Sequence, residues 1–97
     1  LPNLDVLVHE PARLRLLVFL ALVERADFMY LLRQTGLSRG NLSVQASKLV
    51  AAGLIAATKE LADGRPRTTF ALTARGRTAL EKYRDTMLQM LSALADD

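Results

Sequence analysis

The sequence predicts a mainly α domain with one small β-hairpin: a three-helix core, a two-stranded hairpin and a long last helix. Three observations carry that expectation. Residues 37–53 alternate apolar and hydrogen-bonding side chains at helical spacing, Asp63-Gly64 stands between two strand-like runs, and Leu80, Met87 and Leu94 recur every seven residues. These are the patterns of an amphipathic helix, a tight hairpin and a coiled-coil-type seam. The 97 residues suffice for one domain with one core, and an apolar share of 51% excludes a disordered chain. Residues 1–97 are therefore read as a single domain.

The first helix is expected to open near His9-Glu10-Pro11, because proline at the first helical position needs no N–H partner. Residues 14–23 are apolar almost all the way round, which implies burial on more than one side, by the core and by a second subunit. Glu24-Arg25-Ala26-Asp27 reads as a polar break, and residues 29–34 as a second helix closed by Thr35-Gly36. Ser38 is a good N-cap for a third helix. Leu37 and Leu42 are placed to pack as a hydrophobic staple around it. That helix runs to about residue 52, with Leu42, Ala46, Leu49 and Val50 inward, and Gly53 ends it.

Residues 54–59 and 67–72 read as paired strands, with Pro66 before the return strand, where its missing donor does no harm. Thr73 is the expected N-cap of the last helix, residues 74–95, whose stretch 76–95 is assigned to dimerisation. Its Leu and Met stripe is too long for a small domain to cover, so burial against a second copy is favoured over packing on the protein's own core or lining a small-molecule pocket. The expected dimer interface comprises Leu17, Leu80, Tyr83, Met87, Met90, Leu91 and Leu94.

Charge is distributed unevenly about a net +3. Residues 64–80 carry Arg65, Arg67, Arg75 and Arg77 and no acid, and residues 30–57 carry Arg33, Arg39 and Lys48 and no acid. Such asymmetry points to one positive face and a polyanionic partner. The second helix, the tight turn and the third helix make a helix-turn-helix, the unit that presents its second helix to the DNA major groove. Its polar side is Ser38, Arg39, Asn41, Ser43, Gln45 and Lys48. Ser38 and Arg39 suit phosphate at a helix N-terminus. Asn41 and Gln45, four residues apart, share a face, and their amides suit adenine, while Arg39 suits guanine. Arg65 and Arg67, with Thr68, form a hairpin tip fit for a narrow minor groove or a phosphate. Arg75 and Arg77 open the last helix, where cations oppose the helix dipole, a weaker pointer to an anionic partner.

Asn41-Leu42-Ser43, Lys48-Leu49, Ala52-Gly53-Leu54-Ile55, Gly64-Arg65-Pro66-Arg67-Thr68, Leu72-Thr73 and Gly76-Arg77 together resemble small stand-alone winged helix-turn-helix regulators of the MarR/ArsR type. The resemblance spans residues 9–92. It implies a homodimeric transcription factor, with the third helix in the major groove, the wing on the neighbouring minor groove, and dimerisation through the first and last helices. The two-fold symmetry of such a dimer predicts a palindromic operator, and a repressor is expected over an activator, a choice the sequence itself does not make. Gln45 stands where many relatives carry histidine or arginine, so base preference does not carry over. Met29 stands where a small polar cap of the second helix is common.

No catalytic set is visible, so no enzyme is expected. His9 is the sole histidine and there is no cysteine, so no metal, cofactor or disulfide is expected. The longest apolar run, residues 16–23, is far short of the roughly 20 residues of a membrane span. The opening Leu-Pro-Asn-Leu-Asp has no basic stretch of secretory type, and a cytoplasmic, nucleoid-associated location is expected. Nothing in the sequence supports a small-molecule effector. The rival reading is a winged helix that binds another protein; such domains lose the basic face that Arg39, Lys48, Arg65 and Arg67 keep here.

Overall fold

The computed structural model describes residues 2–95. Helix α1 (Pro11–Val23) is followed by a short strand β1 (Arg25–Asp27), α2 (Phe28–Thr35), α3 (Arg39–Ala51), β2 (Ile55–Ala62), β3 (Arg65–Leu72) and α4 (Ala74–Ser92), which ends in a 3-10 turn (Ala93–Ala95). The three strands form one antiparallel sheet in the order β1-β3-β2.

Each helix start has a side-chain cap. Glu10 accepts from the backbone N–H of Ala12 and Arg13, Asp27 from Tyr30, Ser38 from Asn41 and Thr73 from Gly76. Such caps satisfy amides that have no partner inside the helix. Asp27 corrects the sequence reading twice. The stretch read as a polar break is a strand that pairs with β3 through Ala26 and Phe70, and α2 starts one residue early because Asp27, not Met29, marks its cap. Three residues of strand carry too little pattern to be seen in a sequence; the pairing comes from a partner more than 40 positions away.

The core is Val8, Leu16, Leu17, Leu20, Leu31, Leu42, Leu49, Leu54, Ile55 and Phe70 with Ala26, Ala46 and Tyr83. Leu17 and Tyr83 are therefore corrections: expected at a dimer interface, both are buried inside the chain, and Tyr83 bonds His9 Nδ1 through its hydroxyl at 2.9 Å. Val50, expected inward, is 38% exposed. It follows Leu49, and one step of 100° along a helix carries a side chain off the buried face.

The hairpin is longer than its strand-like residues suggest. Register continues from Ile55–Leu72 pairing to Ala62–Arg65, closed by Asp63 and Gly64 at φ 54° and 75°. Two residues in the left-handed region give the tight turn that matches strand twist. Pro66 lies within β3 rather than before it, opposite Leu61 and beyond the reach of β1.

Helix α4 is anchored at its start. Thr73 N–H donates to the Leu54 carbonyl, the Thr73 hydroxyl lies 2.7 Å from the Gly53 carbonyl, and Gly76 approaches the Leu54 carbonyl so closely that no Cβ would fit. Met87 still packs against the core; beyond it the helix projects, with Leu88, Leu91 and Leu94 at 53–80% exposure. Regular helix stops at Ser92, three residues earlier than expected. The radius of gyration is 15.0 Å and the longest extent 60 Å, against about 12.5 Å for a compact domain of this length. Among the described residues no helix is long and apolar enough to cross a membrane.

Candidate nucleic-acid interface

The geometry of α3 follows from three inward residues. Leu42, Ala46 and Leu49 are spaced four and three apart and point into the core. The opposite side is left exposed: Arg39, Asn41, Ser43 and Lys48, with Gln45 half-buried at its margin. Ser38 is exposed and caps the helix, its Oγ 3.1 Å from Asn41 N–H, which leaves the hydroxyl hydrogen free to donate. Arg39 begins the helix, where unpaired N–H groups favour an anion.

The turn before α3 is held from two sides. Thr35 is buried, donates to the Leu31 carbonyl at 2.7 Å and accepts from Leu37 N–H, while Arg15 of α1 donates to the Thr35 carbonyl at 2.9 Å. Gly36 takes φ 72° at the end of α2. The angle between α2 and α3 is thus tied to α1, so the exposed face is presented from a rigid base.

On the wing, Arg65 and Arg67 are exposed and Thr68 is half-buried. Arg67 Nε lies 3.8 Å from the Asp27 carboxylate, joining the wing to the start of α2; Arg65 has no ion pair among the described residues. Arg33, Arg65, Arg67 and Thr68 line one cleft between α2 and the wing, about 760 Å³ in volume. Ser43 and Thr68 also line a second groove, between α3 and the sheet, together with Ser47, Val50, Lys59 and Phe70. Thr68 is thus common to both clefts, while Arg65 and Arg67 line the first without Ser43. Arg75 packs its side chain against Gly53, and Arg77 lines the groove between α1 and α4 beside Leu80 and Met87.

Sequence reasoning missed two residues, Val44 and Arg13, and did not place a third: Arg33, counted only as part of a basic stretch, joins the wing arginines in the folded cleft. Val44 is 51% exposed in the middle of α3, an apolar side chain of the kind that meets a thymine methyl group; its offset of two from Leu42 was the signal that could have found it. Arg13, on α1, donates to Gln45 Oε1 at 2.8 Å. It also lies beside Glu10, whose carboxyl burial alone would push up; the N–H groups of Arg13 and Ala12 outweigh this, aided by the charges of Arg13 and Lys48, and hold it below the usual carboxylate range. No three His, Cys, Asp or Glu side chains converge as a metal site among the described residues.

The winged helix DNA-binding domain family matches residues 12–91 of the chain. An uncharacterised protein of Methanocaldococcus jannaschii is 32% identical over 78 residues, covering 80% of this chain and 85% of that protein. A transcriptional regulator homologue of Pyrococcus horikoshii superposes with a TM-score of 0.87 at 27% identity, over 93% of this chain and 89% of its own. A MarR family transcriptional regulator of Silicibacter pomeroyi gives a TM-score of 0.68 at 26% identity, over 86% of this chain and 55% of its own. The chain belongs to the winged helix DNA-binding domain family, a family of binding modules rather than enzymes.

Proposed function

We propose that the protein is a transcriptional regulator that binds double-stranded DNA as a homodimer, with α3 in the major groove and the wing on the adjacent minor groove and backbone. The observation that carries this reading is the pairing of a polar face on α3, exposed except for half-buried Gln45, with a wing whose Arg65 and Arg67 share a cleft with Arg33. Ser38, Arg39, Lys48, Arg65, Arg67 and Thr68 are assigned to the backbone, and Asn41, Ser43 and Gln45 to base edges. The role assigned to it is that of a repressor, acting by occupying its operator at the nucleoid in the cytoplasm.

Dimerisation is supported by the unpartnered end of α4. Leu88, Leu91 and Leu94 are exposed there, and Val18 and Leu88 line one groove between α1 and α4 of about 410 Å³. A two-fold pair through α1 and α4 covers these side chains and spaces two recognition helices by about one DNA turn, roughly 34 Å, so the operator is an imperfect palindrome.

The test is a mobility-shift titration on the protein's upstream region at two salt concentrations, beside sedimentation. Affinity is expected to fall steeply with salt, because each neutralised phosphate releases counterions. Leu88→Glu with Leu91→Glu is expected to give folded monomers with much weaker operator binding. Absence of binding at low salt, or binding indifferent to salt, favours a protein partner instead. A wild-type monomer at micromolar concentration removes the dimer.

A further inference from the structure

We infer that Arg13, outside the helix-turn-helix, determines base specificity: acting through Gln45, it locks both amides of α3 in one orientation and aims the helix at acceptor-rich base edges, guanine above all. This rests on the DNA-binding reading above.

The chain of bonds has one polarity. Arg13 Nη1 lies 2.8 Å from Gln45 Oε1, and Gln45 Nε2 lies 3.0 Å from Asn41 Oδ1. A guanidinium has donors and no acceptor, so Gln45 must face it with oxygen. The Gln45 nitrogen has donors and no acceptor, so Asn41 must face it with oxygen. Neither amide can flip without setting two donors against each other.

Arg13 is itself held. Its guanidinium donates to the carbonyls of Leu7 and Val6, the Glu10 carboxylate lies 3.8 Å away, and its side chain is 12% exposed. The relay leaves three free N–H groups, one on Gln45 and two on Asn41, against one spare lone pair on each of the two amide oxygens. Adenine offers one acceptor and one donor in the major groove, whereas guanine offers two adjacent acceptors. A free amide suits adenine; this locked, donor-rich pair suits guanine.

The experiment selects binding sites from random duplexes with the wild type, Arg13→Met and Gln45→Met. The wild type is expected to prefer guanine over adenine beneath α3 by on the order of tenfold. Arg13→Met is expected to bring that ratio near unity while leaving the salt dependence of binding unchanged, since Arg13 serves no phosphate. A purely structural role would lower affinity and leave the base ratio alone. Gln45→Met, which spares Arg13 and its backbone contacts, frees Asn41 Oδ1 and is expected to move the Asn41 base pair toward adenine.

Wild-type selection of adenine, or an Arg13→Met protein with the wild-type ratio, overturns the inference. A wild type that binds no duplex overturns the DNA reading and this specificity with it. NMR of the free protein separates the two failures: hydrogen-bonded, slowly exchanging Gln45 side-chain protons that become labile in Arg13→Met support the relay, and freely exchanging wild-type amides overturn it.

Discussion

Helix α3 buries Leu42, Ala46 and Leu49 along 13 residues, while α4 buries only Gly76 and Tyr83 along 19. Both open with a hydroxyl cap, Ser38 and Thr73, that accepts from the third residue on. Beyond the cap they differ in what holds them. Helix α3 is fastened along its length by the chain's own core, which is what the proposed meeting of its outer face with a rigid duplex requires. The last helix is fastened at its first turn and, less completely, through Ala79, Leu80, Tyr83 and Met87, and its end shows leucine to solvent. A helix gains most of its stability from packing of one face, so the far end of α4 is stabilised by whatever covers it.

Four substitutions break or sharpen that contrast. Leu49→Ala, in the fully buried face of α3, is expected to cost about 2–5 kcal/mol by transfer and cavity terms, read as a drop in the urea midpoint of the whole protein. Next comes Gly76→Ala. An added Cβ collides with the Leu54 carbonyl, so α4 must shift, at about 1–3 kcal/mol; near-UV circular dichroism should report the movement of Tyr83.

The two caps should differ less, though in a defined order. Ser38→Ala removes one exposed cap bond and is expected to cost about 1 kcal/mol. Thr73→Ala also removes the hydroxyl that lies 2.7 Å and 3.0 Å from the Gly53 and Leu54 carbonyls, so its loss in thermal denaturation should be the larger of the pair. Equal losses would mean that α4 is not fixed at its base by this contact.

The smallest effect concerns Glu10, the cap of α1. Its folded carboxyl lies below the usual range because the backbone N–H groups outweigh the opposing effect of burial. Its contribution is therefore fully present above the ordinary value, about pH 4.3, and is lost as pH falls through the lowered folded value. Wild-type stability should converge on that of Glu10→Gln in that acid window, and remain higher above it. An unchanged difference across the window would remove Glu10 as an acid-sensitive cap.

Much of this was legible in the chain itself. The caps Ser38 and Thr73, the Asp63-Gly64 turn, the inward triplet of α3 and the acid-free basic stretches all rest on interactions within a few residues, and local chemistry suffices to specify them. The order of helices and hairpin, and hence the winged helix class, follows from those local signals in sequence.

Tertiary structure decided what depends on distant partners. Strand β1 exists because Ala26 meets Phe70. Tyr83 and Leu17 are core rather than interface because α1 and α4 close over them. Arg33 joins Arg65 and Arg67 through the packing of α2 beside the wing, and Gln45 loses its freedom to Arg13, 32 positions away. Periodicity along a chain reports which face of an element is apolar; which neighbour covers that face, and which polar group a distant donor has already engaged, is settled when the elements pack.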